Sequence, residues 1–167
     1  MSILDVIFEL KKFSDRILSL NEPIEESLIF SFEQKYNIEL PVDYKTLLRK
    51  HNGIGLFGTN IYGIQERNKS YSLEECYLFE HNEVDNSMPF YLVPFSPDGR
   101  GNHYCFDTRY NNTISCPIIF WQHDYNYSKE DNPEVVSGSL SDWIKEVMID
   151  WILEDYNYDG TKKDNEV

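Results

Sequence analysis

His103, Asp107, His123 and Asp124 are the side chains of this chain best suited by type to hold a metal ion. Imidazole and carboxylate ligate zinc and other transition metals, and these four fall on or beside neighbouring apolar, strand-like runs. His103 and Asp107 are four residues apart, an even spacing that shares one strand face if no bulge intervenes. No His-Glu-x-x-His pattern or paired acidic loop accompanies them, so the plain reading is a strand end and a residue packed beside a turn. Asp98-Gly-Arg-Gly-Asn has the glycines of an ion or phosphate loop, but Arg100 stands where a calcium loop needs an oxygen, and no Lys-Ser/Thr follows. A tight turn is the reading that remains. Cys76, Cys105 and Cys116 are odd in number and form no Cys-x-x-Cys pair; they read as small apolar core residues of a reducing compartment. No serine or cysteine sits in a nucleophile elbow. The residues thus give no catalytic signal, and neither a catalytic residue nor a metal nor a cofactor is expected.

Charge offers more. The 167 residues carry a net charge of -14. Such a balance argues against nucleic acid, whose phosphates are bound through Lys and Arg, and against anionic membranes. It favours solubility and fast capture of a basic partner. Two acidic groups stand out: Glu74, Glu75, Glu80, Glu83 and Asp85 in one stretch, and Glu130, Asp131 and Glu134 beside Tyr125 and Tyr127. Carboxylates next to aromatic rings suit a protein interface, where rings fill pockets and charges set partner choice. A solvated helix face and a polar loop would look the same.

The elements that must position these residues are legible in outline. Helical spacing runs from Ile3 to Leu20, then through Ile24, Leu28, Phe32 and Tyr36, with Asn37 as a left-handed cap. Pro41 and Asp43 open a short helix that Asn52-Gly53 closes, with Tyr44, Leu47, Leu48 and His51 facing inward. Short strands at 54–57 and 61–64 flank a turn at 58–60. Residues 71–84 hold a helix opened by the capping box Ser72 to Glu75. Strands follow from Phe90 to about Val136, two of them joined by the glycine turn after Pro97. Ser139 to Asp142 repeats the capping box and opens a last helix through Trp143, Val147 and Trp151. Helices, then strands, then a helix give α+β: one domain over 1–154, followed by a polar, flexible tail at 155–167. The N-terminus has no signal-peptide pattern and no run is long enough to span a membrane, which points to the cytoplasm.

Ile38-Glu-Leu-Pro-Val-Asp-Tyr44, Leu47-Leu-Arg-Lys-His-Asn-Gly53, Leu92-Val-Pro-Phe-Ser-Pro-Asp-Gly-x-Gly-Asn, Tyr104-Cys-Phe-Asp107, Ile118-Ile-Phe-Trp121 and Val136-Ser-Gly-Ser-Leu-Ser-Asp-Trp143 occur in one order. From about Pro23 to Val147 this order resembles the SUKH superfamily, the proteins related to the yeast Smi/Knr cell-wall-synthesis regulator. Gly138 and Leu140 depart from it, standing where that family often has Ser and Phe. The resemblance implies N-terminal helices and a C-terminal helix packed on a mostly antiparallel central sheet. It also implies a structural role for Pro41, Tyr44, Asn52, Gly53, Asp98, Gly99, Gly101, Asp107, Trp121 and Trp143. Bacterial members are regarded as immunity proteins that bind and neutralise a cognate polymorphic or contact-dependent toxin, often a nuclease; fungal members are regulatory scaffolds. The resemblance thus implies a binding protein and no enzyme, its partner a toxin protein, basic in character; a scaffold that recruits cellular proteins is the alternative, and a metal-dependent enzyme the least favoured reading.

Overall fold

The structure, a computed structural model, describes residues 1–65, 72–112 and 114–164. Helix α1 (Ile3–Leu10) begins with a reciprocal cap, the Ser2 hydroxyl accepting the Asp5 amide while the Asp5 carboxylate accepts from the Ser2 backbone. It buries Ile3, Val6, Ile7 and Leu10 and stops there. The helical spacing read on to Leu20 is overturned: Leu18–Leu20 is strand β1, paired antiparallel with β2 (Ile54–Leu56), which turns back into β3 (Thr59–Ile61). The hairpin turn falls at Phe57-Gly58, both at positive φ, one residue earlier than the spacing predicts.

Helix α2 (Glu26–Tyr36) buries Ile29 and Phe32 and ends in the left-handed Asn37. Leu28 and Tyr36, read as its core stripe, only flank that pair. Helix α3 (Val42–Lys50) follows Pro41 and buries Tyr44, Leu47 and Leu48. Ser72 and Glu75 form the expected capping box of α4 (Leu73–Asn82). Tyr71, from which that helix was read, lies outside the described residues.

The larger sheet runs β4 (Leu92–Pro97), β5 (His103–Asp107), β6 (Ile118–Trp121), β7 (Glu134–Ser137), each antiparallel to its neighbour. A 3-10 turn, Thr108–Tyr110, follows β5. The chain ends as α5 (Leu140–Trp143), a π-helical stretch (Ile144–Asp150) and α6 (Trp151–Asp155). The wider winding of that stretch breaks the spacing expected from Trp143 to Trp151 and leaves Trp151 55% exposed. The fold is α+β, with the two antiparallel sheets joined where the Tyr62 amide donates to the Phe95 carbonyl at 2.8 Å. Val93, Phe95, Phe106 and Ile118 turn the inner face of the large sheet to α1, α3 and the last helix, forming the main core. Leu92, Cys105, Ile119 and Trp121 face the other way and cluster around Met88.

Asn52, Asp98, Gly99 and Gly101, four of the residues to which the resemblance assigns a structural role, lie in loops. Asp98 accepts from the Arg100 and Asn102 amides and the Asn102 side chain, shaping the turn that Gly99 and Gly101 make at positive φ. A Cβ on Gly101 would also approach the His123 ring to 3.0 Å. Asn52 donates to the Ile64 carbonyl at 2.7 Å and accepts from its amide at 2.8 Å, clasping the end of α3 to the chain after β3. Gly63 passes so near that a Cβ would lie 2.6 Å from the Asn52 side-chain oxygen. Asn52→Ala leaves a half-buried amide and carbonyl unmet and should cost about 1–3 kcal/mol, read as a lower urea midpoint at unchanged slope. An unchanged midpoint would show that the clasp is idle.

Past Glu154 the polar composition predicts a loose tail, and here too the structure differs. Tyr156 bridges to Lys162, the Tyr158 ring meets Phe13 at 4.8 Å, its hydroxyl donates to Glu9, and its carbonyl accepts from Ser14. Two tyrosines supply the apolar area that the average composition hides. Residues 156–164 are therefore docked on the end of α1 and the chain before β1.

Candidate protein-binding face

Residues on the outer side of the large sheet alternate with those of the core, as strand geometry requires. His103, Cys105 and Asp107 share this side, as their even spacing predicts. Among the described residues no three of His, Cys, Asp and Glu converge on a point. Asp107 is held bidentately by Arg109, at 3.0 and 2.7 Å. His103 turns its Nε2 to Cys76 Sγ, 3.4 Å away, and burial lowers its pKa to about 4. It is neutral at pH 7, so its 3.8 Å approach to Glu80 is no ion pair. His123 bonds Asn102 at the surface, and Asp124 is exposed. Burial also pushes the thiols of Cys76, Cys105 and Cys116 upward, the last to about 12, away from nucleophilic character.

The first acidic group does not form one surface. Glu80 is only 7% exposed and packs under the sheet, where burial raises its carboxyl; its place in a partner-facing cluster is withdrawn. It follows Cys76 by four residues and Tyr77 by three, so it shares their buried helix face. Glu74 is taken up by Lys35 and the Tyr36 hydroxyl, both at 2.6 Å, and Glu75 by the capping box. Burial would lift the Glu74 carboxyl, but those two bonds hold it below its ordinary range. Glu83 and Asp85 remain exposed just beyond α4.

The second group gathers around a groove of about 650 Å³. Its floor is Leu92, Ile119 and Trp121; Tyr91, Arg109 and Tyr110 form one wall, and the segment from Tyr127 to Pro133 the other. Arg109 lies over the Tyr91 ring at 3.9 Å, fixed in place by Asp107. From the floor an aromatic ladder rises to the surface: Trp121 meets Tyr127 at 4.6 Å, and Tyr127 meets Tyr125 at 4.8 Å. The Tyr125 hydroxyl donates to Asp131, and Glu130 and Glu134 stand exposed nearby. Asn86 donates to the carbonyls of His123 and Tyr125, both at 2.9 Å, tying the chain after α4 to this rim. That tie brings the segment just after Asp85 against the Tyr125 end of the second acidic group. Sequence reasoning missed Tyr91, Arg109, Ile119 and Val135, which meet only because β4 to β7 lie side by side. The Ile118-Ile119 pair was the available signal, since adjacent strand residues face opposite ways and one of two isoleucines must leave the core.

A family model described as the SMI1 / KNR4 family (SUKH-1) matches residues 23–146. No curated protein matches the sequence. Among solved structures, the crystal structure of a protein from Pseudomonas syringae pv. tomato superposes with a TM-score of 0.62 at 17% identity, covering 88% of this chain and 98% of that one. At that identity the likeness is one of fold.

Proposed function

The chain belongs to the SMI1 / KNR4 family (SUKH-1), and from that premise we propose that it is a non-enzymatic immunity protein that binds one cognate toxin domain and neutralises it in the cytoplasm. The observation that carries the reading is the outer sheet face, where a groove with an apolar floor sits beside an aromatic ladder and an acidic rim. Pocket, rings and surrounding charge are the parts of a protein interface. The buried, raised thiols and the dispersed histidines favour binding over catalysis. A net charge of -14 suits a basic partner and fits neither nucleic acid nor an anionic membrane. No helix among the described residues is long and apolar enough to cross a membrane.

Co-expression with the toxin-like protein encoded beside it tests the reading, with cell survival and co-elution on size exclusion as readouts. Rescue with a stable complex supports immunity. No rescue, with several cellular proteins retained at comparable levels, would turn the reading to a regulatory scaffold. Electrostatic capture makes its own prediction. Raising ionic strength shortens the Debye length from ~30 Å at 0.01 M to ~3 Å at 1 M, and stopped-flow association should slow by about tenfold or more. Charge reversal at Glu83, Asp85 and Glu130 should flatten that dependence. A rate indifferent to salt would rule out steering.

A further inference from the structure

Strand β7 is the last of its sheet, and among the described residues no backbone group pairs with its far edge. An open edge is a template for another strand, and proteins blunt such edges with charge, proline or cover. Here the edge displays Val135, 63% exposed, while Val136 turns inward against the main core. Val135 also lines the end of the groove, so groove and edge form one continuous surface.

We propose that the β7 edge is a strand-addition site for an extended segment of the partner protein, alternating aliphatic and basic residues. This rests on the binding role proposed above and names its mode. Backbone bonding to β7 would supply affinity, and every second side chain of the added strand would fall on the outer face beside Val135, toward Ile119 and Trp121. Glu130, Asp131 and Glu134 stand at this end of the sheet beside Lys129, while Arg109 across the groove is taken up by Asp107, a balance that favours Lys and Arg on the incoming strand. The same carboxylates disfavour a second copy of this chain, which would bring its own Glu134 to the seam.

The test uses the whole chain and a labelled Lys-Val-Lys-Ile-Lys-Val-Lys peptide, read by fluorescence anisotropy and by amide exchange of residues 134–137. The peptide should bind and slow exchange of the β7 amides about tenfold or more. Binding should be lost with alternate N-methylation of the peptide, with Val135→Lys and with Glu134→Lys. Both positions are exposed, so thermal melts of the two variants should match the wild type. No binding, binding without protection of β7, or self-association protecting the same amides would each overturn the proposal. The companion measurement is the toxin complex itself. A complex formed equally well by Val135→Lys overturns strand addition and leaves immunity standing; peptide capture at β7 with no toxin complex keeps the edge site and removes the immunity reading.

Discussion

Trp143→Ala should lower stability by about 3–5 kcal/mol, a large share of the ~5–15 kcal/mol that holds a domain of this size folded. Trp143 is fully buried, and its ring meets Phe95 edge-on at 5.0 Å and Tyr104 at 5.0 Å. Phe95 in turn stacks on Phe106 at 4.3 Å, and Phe106 meets Tyr44 at 5.0 Å. One line of rings therefore joins the last helix to β4, β5 and α3, and removing its end leaves a void at the point where helix and sheet meet. Among the described residues the indole Nε1 is buried without a hydrogen-bond partner, a standing cost of about 1–3 kcal/mol. Trp143→Phe should consequently lose much less than the alanine variant, since it keeps a ring in the line and removes the unmet N–H. Trp151→Ala is the internal control: that ring is half exposed, and its loss should fall within about 0.5 kcal/mol. Urea titration of the three variants decides the matter, and equal midpoints for Trp143→Ala and Trp151→Ala would refute this account of the core.

What could be read along the chain was local. Ser72 to Glu75 and Ser139 to Asp142 announced helix starts because a capping box is a contact between residues three apart. Asn37 and the glycines after Asp98 announced turns because their backbone must enter the left-handed region. What escaped was decided across the chain. Leu18–Leu20 is a strand because Gly55 and its neighbours lie opposite, and a helical period from Ile3 to Ile17 carries no trace of them. Tyr158 docks on Phe13, a partner nearly the whole chain away. Glu80 shows the intermediate case, in which the face it shares with Cys76 and Tyr77 was visible but the run of acids around it was read as a surface. The groove needs Tyr91, Arg109, Ile119 and Val135 together, and only the order of strands β4 to β7 assembles them. Partner choice lies a step further off, since it depends on a few rim side chains and on a second molecule.

The sequence places Asp43 at the positive start of its own helix, and the fold also sets it against a second one. One oxygen accepts the Tyr44 amide at 2.8 Å; the other accepts the Leu140 amide at 3.2 Å, so this buried side chain ties the start of α3 to the start of α5. Burial outweighs those two bonds and raises its pKa from 3.8 to about 6. The sign follows from linkage. Below about pH 4 the group holds its proton folded or unfolded, and its contribution is intact. As pH rises toward 6 the unfolded chain releases the proton first, and the folded chain must either retain it or bear a buried charge. Stability falls through that window by about 3 kcal/mol at most, at ~1.4 kcal/mol per pKa unit, and stays level above it. Asp43→Asn does not titrate. It also places an NH2 group where one of two backbone amides needs an acceptor, but that penalty does not vary with pH. The stability of Asp43→Asn relative to wild type should therefore climb by about 3 kcal/mol between pH 3 and pH 7 and then stay flat. Other carboxylates titrate in both proteins and cancel in the difference. Urea midpoints at half-unit pH steps measure it, and two parallel curves would mean that Asp43 stays ionised in the fold, its charge satisfied by the Tyr44 and Leu140 amides alone.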